Sequence, residues 1–380
     1  MSKTSYSVHF PRVLHFGSGC RGLAASEADK LVSGESVRML LVASATVAAS
    51  PMGLDFIASL GDRVAARYCS VPHDPPLSVV TEIIERIRQD RINVLMALGG
   101  GSVMDASKAA ALLSQGQASV KEYFDGTLPL PEKVLPMLAL PTTSGTGSES
   151  TPNSVLTDTE GHLKRAIRSG LMVPAAALCD PDFTLELPPR VTAESGLDAL
   201  TQALESYVSS GASEYSRGLA EKASGLILKW LPEAWKNGSH AEARLRMAEG
   251  SMLGALAFAQ SGLGAVHGLA HPIGHLLNLP HGFTCAVLLP QILEWNLPEC
   301  QKNMDVLARN IGLKQSADLL LQVKKLLQTL KIPDNFAAFG LTAKDFPYIV
   351  KNCRSGSMKA NPRPMSDAEV DELLQKLAGA

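Results

Sequence analysis

The amino-acid sequence predicts an α/β domain with a mostly parallel sheet at residues 1–185, followed by an all-helical domain at residues 186–380. Short apolar runs alternate with helical patterns through the first half of the 380-residue chain. A proline-rich segment, 180–189, then interrupts the pattern, and the second half is almost purely helical in its spacing. At about 150 residues per domain, this length suits two or three domains.

The individual elements follow from the same patterns. Apolar runs at 37–43, 92–98 and 136–140 predict buried strands, and 78–91 predicts a helix between two of them. Strands alternating with helices imply a parallel sheet covered on both faces. Segment 180–189 is predicted to be a linker, and helices are predicted at 192–209, 216–231, 241–260, 263–277 and 298–311.

Composition excludes several classes of partner. The 35 basic and 37 acidic residues give a net charge of -2, which argues against nucleic acid as a partner. The N-terminus lacks the apolar core of a signal peptide, and the uncharged stretch 39–54 is shorter than the roughly 20 residues of a membrane span. The six cysteines are scattered without a CxxC pair. We therefore expect no membrane partner and a reducing, cytoplasmic location.

Two glycine- and hydroxyl-rich loops predict a nucleotide site. The segment GGGSVMDASK, 99–108, follows a predicted strand and begins a helix, where glycines and free N–H groups favour a phosphate. Asp105 and Lys108 lie on the first turns of that helix. The segment PTTSGTGSES, 141–150, supplies hydroxyls at the end of another strand. Two such loops at strand ends indicate a nucleotide-binding edge of the sheet, whereas a third, 16–22, is predicted to be a plain turn.

The end of the strand at 37–43 bears on cofactor choice. A carboxylate there usually selects NAD by binding the ribose 2′-hydroxyl, but this chain continues with Ser44. The sequence therefore leans slightly towards NADP.

Four of the nine histidines cluster at the start of the second half. His267, His271 and His275 are spaced i, i+4, i+8, which places them on one helix face, and His281 follows Pro280 in a predicted turn. Converging imidazoles suit a divalent metal. Asp198 is a candidate carboxylate ligand, with Gln202 one turn further along the same predicted helix.

The chain resembles the iron-containing (group III) alcohol dehydrogenases over nearly its whole length. The two loops, DPDFTLELPP, GLDALTQALESYVS and HGLAHPIGHLLNLPHGFTCAVLLP match that family's signature stretches in order. The resemblance implies a Rossmann-like NAD(P)-binding domain, a helical metal- and substrate-binding domain, and hydride transfer between NAD or NADP and a primary or secondary alcohol carbon of a small-molecule alcohol or aldehyde substrate. It also implies a homo-oligomer, dimeric or larger.

The resemblance also implies residue roles. The cofactor's pyrophosphate would lie on Gly99, Gly100, Gly101 and Ser102, and its nicotinamide ribose near Thr142, Thr143 and Thr146. Lys164 matches a cofactor-contacting lysine. Asp105 and Ser44 complete the predicted cofactor-binding set. Asp198, His267 and His281 match metal-ligand positions, and His271 matches a histidine near the substrate, where it is predicted to relay a proton.

Gln202 departs from the family pattern, because the iron enzymes carry histidine at that position. Three strong ligands and a weak glutamine oxygen would still suit one divalent metal, zinc or iron. Three alternatives remain open: an enoate reductase similar to maleylacetate reductase with little metal dependence, a lyase of the dehydroquinate-synthase type, and a nucleotide-binding relative without catalysis. The absence of lysine and arginine from 253–289 disfavours the lyase, which needs basic groups for an acidic substrate.

Overall fold

A computed structural model describes Tyr6, Val8, 10–161 and 163–379. The described chain forms two compact units. One comprises 10–185, and the other comprises 186–379 together with Tyr6 and Val8.

A six-stranded parallel sheet organises the first unit. Its strands are β1 (Val13–Phe16), β2 (Met39–Ala43), β3 (Val64–Tyr68), β4 (Val94–Gly99), β5 (Met137–Pro141) and β8 (Ala176–Cys179), and they lie in the order β1-β8-β5-β4-β2-β3. The remaining strands, β6 (Asn153–Asp158) and β7 (Leu163–Arg168), form a separate antiparallel pair. The sheet order reverses direction at β2, between β4 and β3, and ligands bind open parallel sheets at such a reversal.

Both faces of the sheet are buried, which explains the apolar runs. In β4, Leu95 and Ala97 belong to one core cluster, whereas Val94, Met96 and Leu98 belong to the cluster on the opposite face. The helices of this unit are α1 (Ala24–Leu31), α2 (Ala45–Ala49), α3 (Pro51–Ser59), α4 (Leu77–Gln89), α5 (Gly101–Leu113) and α6 (Val120–Asp125). The predicted strands are present, displaced by one or two residues at their ends.

The second unit is helical throughout its described residues, and the predicted fold class is confirmed. Its helices are α7 (Pro189–Val208), α8 (Glu214–Lys236), α9 (Ala241–Ser261), α10 (Ala265–Leu277), α11 (His281–Asn310), α12 (Ser316–Thr329), α13 (Phe346–Asn352), α14 (Gly356–Ala360) and α15 (Asp367–Leu377). They enclose one apolar core.

Three elements differ from the prediction. The predicted linker 180–189 contains a 3-10 helix, Pro181–Thr184, and Arg21 Nη1 donates to Asp180 Oδ2 and Asp182 Oδ2 at 2.7 Å, which fixes its start. The predicted turn at His281 and separate helix at 298–311 are wrong, because α11 runs unbroken from His281 through Pro290 and Pro298. Its buried face outweighs the hydrogen bonds that the prolines remove.

By length and composition, none of the helices in the described ranges could cross a bilayer alone, although α9 and α10 together are long and apolar enough as a pair bent by 104°. The pair is apolar because 250–293 contains no Asp, Glu, Lys or Arg.

Gly282 allows the start of α11 to lie against α7. A Cβ at this position would be 2.0 Å from the backbone oxygen of Glu194 and 3.2 Å from Cβ of Asp198. A backbone oxygen cannot rotate away as a side chain can, so the close approach depends on glycine. This contact also determines where His281, the preceding residue, is held.

We expect Gly282→Ala to destabilise the protein by about 1–3 kcal/mol, because the added methyl group forces α11 away from α7. Urea unfolding of the second unit would measure the change. Gly218→Ala on α8 is the matched control, because its Cβ would meet nothing within 4 Å. Alanine at that helical position should be neutral or stabilise by up to about 1 kcal/mol. Equal midpoints for the two variants would contradict the packing argument.

Candidate active site

The first glycine-rich loop lies at the carboxyl end of β4. Gly99 ends the strand, Gly100 precedes α5, and Gly101 is its first residue. Gly100 provides no side-chain cap for the helix, so the first N–H groups of α5 are available to an anion. Ala43, at the end of β2, pairs with Leu98, which places this loop at the reversal in strand order.

The threonine loop lies directly against these glycines. A Cβ on Gly101 would be 2.7 Å from Thr146 Cγ2, and a Cβ on Gly100 would be 3.3 Å from Thr143 Cγ2. The Thr142 amide donates to the carbonyl of Gly99 at 3.0 Å. The missing glycine side chains therefore allow the hydroxyl-bearing loop to approach the start of α5.

Asp105 joins α5 to the structure that follows the threonine loop. Its carboxylate accepts hydrogen bonds from the Ser148 hydroxyl and, at 2.9 Å, from the Val155 amide. The Ser154 hydroxyl donates to the Asp105 carbonyl at 2.7 Å. These bonds give Asp105 a structural position behind the loops.

Lys164 is brought to the glycine loop through Asp74. Its Nζ lies 2.7 Å from Asp74 Oδ1, and the Asp74 amide donates to the Ser102 hydroxyl at 3.3 Å. Ser44, the other predicted cofactor residue, caps α2 by accepting from the Val47 amide at 3.3 Å.

Two buried titratable residues, Lys108 and Glu149, lie at the threonine loop. Lys108 Nζ donates to the carbonyls of Ser148 at 2.9 Å and Thr151 at 3.3 Å. Burial lowers the pKa of Lys108, although Asp105 opposes that shift. Burial raises the pKa of Glu149, a residue of the same loop, to about 7.

The second unit brings the predicted metal ligands together. His267 Nε2 lies 3.4 Å from Asp198 Oδ1, and His281 Nε2 lies 3.7 Å from the same oxygen. Asp198 comes from α7, His267 from α10 and His281 from the first turn of α11. Three helices thus contribute one nitrogen or oxygen atom each to a common point.

Glu205, which the sequence did not single out, orients His267. Its Oε2 accepts from His267 Nδ1 at 2.6 Å, and its Oε1 accepts from the Val266 amide at 2.6 Å. With Nδ1 protonated, the neutral imidazole directs the lone pair of Nε2 towards Asp198. The sequence spacing could have indicated Glu205 as a site residue, because it follows Asp198 and Gln202 along one helix face.

The electrostatics of this cluster favour a cation. Burial lowers the pKa of His267, but the carboxylates of Glu205 and Asp198 outweigh burial and raise that pKa to about 9. Among the described residues, Asp198 Oδ1, His267 Nε2 and Gln202 Oε1 are buried without a hydrogen-bond partner. Buried oxygen and nitrogen atoms that lack a hydrogen-bond partner and converge beside an excess of negative charge are suited to bind a divalent metal ion.

Cys285 joins the same cluster. One turn after His281, its Sγ lies 3.6 Å from His281 Nε2. Ligand atoms of Asp198, His267, His281 and Cys285 all lie within 4.8 Å of one another. A single cysteine without a CxxC partner gave no sequence signal for this position.

The remaining histidines flank the cluster. The His271 ring stacks on the His281 ring, with centroids 4.9 Å apart and planes 15° apart. α10 continues through Pro272, and His275 lies in its last turn, outside the group of potential ligands in the described chain.

Comparisons with known proteins agree with the motifs. The family model for iron-containing alcohol dehydrogenases matches 11–181, and the C-terminal model of the same family matches 192–378. The chain is 35% identical to long-chain-alcohol dehydrogenase 1 of Geobacillus thermodenitrificans over 81% of this chain and 80% of that protein. It is 30% identical to 1,3-propanediol dehydrogenase of Klebsiella pneumoniae over 99% and 100% of the two chains.

Solved structures show the same similarity. Sulfoacetaldehyde reductase from Bifidobacterium kashiwanohense, crystallised in complex with NAD+, superimposes with a TM-score of 0.93 at 28% identity and covers 100% of both chains. The resemblance predicted from the five sequence stretches is confirmed.

The buried Glu149 generates a pH-dependent prediction. Its pKa rises from 4.5 to about 7, so the folded state binds this proton more tightly than the unfolded state. The stability contributed by the protonated form is therefore lost as pH rises from about 4.5 to about 7. We expect Glu149→Gln to gain stability relative to the parent protein across that window and to keep a constant advantage above it.

Thermal midpoints measured in buffers across this pH range would check the prediction. Glu132→Gln, which removes an exposed carboxylate, is the control for the loss of one charge. A difference between Glu149→Gln and the parent protein that does not change with pH would contradict the effect of burial.

Proposed function

We infer the reaction of this chain from its family: it belongs to the iron-containing alcohol dehydrogenases and is an NAD-linked oxidoreductase that interconverts alcohols and aldehydes. The observation that carries the proposed site is the convergence of Asp198, His267 and His281 from three different helices, with Asp198 and His267 buried and His281 partly exposed. The relatives' names cover long-chain alcohols, 1,3-propanediol and sulfoacetaldehyde, and for this chain we propose a small-molecule substrate with a primary or secondary alcohol group or the corresponding carbonyl.

The cofactor is proposed to bind the first unit through two loops. Gly99, Gly100, Gly101 and Ser102 would hold the pyrophosphate at the start of α5, where N–H groups and the helix dipole attract phosphate. The hydroxyls of Thr142, Thr143 and Thr146, with Lys164, would contact the nicotinamide ribose. The contact of Gly100 and Gly101 with the threonine side chains supports this assignment. Asp105 supports the loops from behind.

NAD is the proposed cofactor. The NAD+ complex of the sulfoacetaldehyde reductase supports it. Ser44 at the end of β2 carries no negative charge that would repel a 2′-phosphate, so NADP remains the predicted alternative.

A divalent cation, zinc or iron, is proposed to bind Asp198, His267 and His281, with Gln202 as a weak additional donor. When bound, such a cation lowers the pKa of an alcohol hydroxyl and polarises an aldehyde carbonyl. Glu205 keeps His267 in the tautomer that presents Nε2, and Asp198 supplies the carboxylate charge. These residues would hold the cation, and a nicotinamide cofactor would supply the hydride-transfer chemistry when bound.

His271 is proposed to move the proton. Oxidation of an alcohol releases the hydroxyl proton as well as the hydride, and an imidazole titrates in the range needed to accept it. The stacking of His271 on His281 places it beside the proposed cation ligands. We also propose a cytoplasmic location, supported by dispersed cysteines, and a homo-oligomer, supported by the family resemblance.

Metal content tests the proposed site. Protein purified without added metal should contain about one zinc or iron per chain, and Asp198→Ala should lose both the metal and NAD-linked alcohol oxidation, since three ligands are needed to hold the cation. Elemental analysis and an alcohol panel with NAD provide the two readouts. Asp371→Ala on α15 is the control. Full activity after metal removal would overturn the metal-assisted mechanism and favour the enoate-reductase alternative.

His271→Ala should lower turnover by about 10²- to 10⁴-fold, the usual contribution of general acid–base catalysis. The dissociation constant for NADH, measured by fluorescence titration, should change less than about twofold, because cofactor binding is assigned to the other unit. His275→Ala is the matched control, one turn further along α10. Unchanged turnover in His271→Ala would exclude a catalytic role for this residue.

A further inference from the structure

We propose that Cys285 supplies a fourth protein ligand to the divalent cation at Asp198, His267 and His281. The proposal rests on the proposed function, because it needs that cation site. It adds a sulfur donor to a site for which the sequence motifs indicate only nitrogen and oxygen.

The interatomic distances fit a tetrahedral site. Zinc binds imidazole nitrogen at about 2.0–2.1 Å and thiolate sulfur at about 2.3 Å. Two ligands of one tetrahedral zinc are then separated by roughly 3.3–3.6 Å. The observed separations are 3.4 Å for His267 Nε2 to Asp198 Oδ1 and 3.6 Å for Cys285 Sγ to His281 Nε2. All ligand atoms of the group lie within 4.8 Å of one another, so the longest separations would shorten by up to about 1.2 Å around the ion.

The backbone fixes Cys285 towards this point. Residues four apart on a helix share one face, so Cys285 lies on the same face of α11 as His281. Cys285 is fully buried, and α11 is held against α7 at Gly282. The unpartnered, buried Asp198 Oδ1 and His267 Nε2 are independent observations of the same site.

Charge and softness favour this donor set. A thiolate and the Asp198 carboxylate together neutralise a dication, which the neutral Gln202 cannot do. Thiolate is also a soft ligand, which suits zinc better than the oxygen donor of Gln202. We therefore infer that the site prefers zinc and holds it more tightly than the three nitrogen and oxygen ligands would alone. The substrate oxygen would take a fifth position, because catalytic zinc can expand its coordination to five.

X-ray absorption of the zinc-loaded full chain tests the proposal directly. The parent protein should show one sulfur neighbour at about 2.3 Å beside nitrogen and oxygen neighbours at about 2.0–2.2 Å. Cys285→Ser should lose the sulfur and weaken zinc binding by at least about tenfold in competition with a chelator. Cys300→Ser is the matched control, because the Cys300 thiol donates to the Asn296 carbonyl at 3.1 Å in the same helix.

The outcomes separate the two proposals. Zinc bound in the parent protein by nitrogen and oxygen alone would overturn the role of Cys285 and leave the cation site standing. A sulfur neighbour that persists in Cys285→Ser would also overturn it. Failure of the parent protein to bind zinc or iron would overturn both the ligand assignment and the proposed metal site.

Discussion

The buried carboxylate of Glu205 is the interaction on which the second unit's site depends. One oxygen accepts from the amide at the start of α10, and the other accepts from the His267 ring. A Cβ on Gly264 would lie 2.7 Å from Glu205 Oε1 and 2.9 Å from Asn361 Oδ1, so a side chain at the entry to α10 would displace this carboxylate. One side chain on α7 therefore fixes both where α10 begins and which nitrogen of His267 faces Asp198.

The first unit solves a similar problem with backbone and glycine. Its loops converge because parallel strands end at one edge of the sheet, and Gly99 and Pro141 are paired there. The charged residues behind the loops, Asp105 and Lys108, bind the polypeptide itself and are almost entirely committed to it. Loop position is thus set by buried polar groups, which leaves the N–H groups of α5 for a ligand.

Much of this organisation follows from local sequence. Apolar runs identified the strands flanking the site, and helical spacing placed His267, His271 and His275 on one helix face. The assignment of Asp198, His267 and His281 as ligands came from the family resemblance. Glu205 and Cys285 were missed because each lies one or two turns from a predicted ligand on its helix. Only tertiary packing reveals which face of that helix points towards the cluster. The start of α11 was missed because proline at 280, 290 and 298 is typical of breaks. The β6–β7 hairpin was missed because its second strand, LKRAIR, is rich in charge.

Helix geometry explains how a different residue can supply the fourth metal ligand while the backbone stays the same. Gln202 lies four residues after Asp198, and Cys285 lies four residues after His281. Each therefore lies one helical turn after a proposed metal ligand. The family pattern places histidine at the first of these positions. Because α7 and α11 meet at Gly282, the second position faces the same cluster from the opposite helix. In the proposed coordination, a donor lost from α7 is replaced from α11 by one side chain, and the softness of sulfur would shift the site towards zinc.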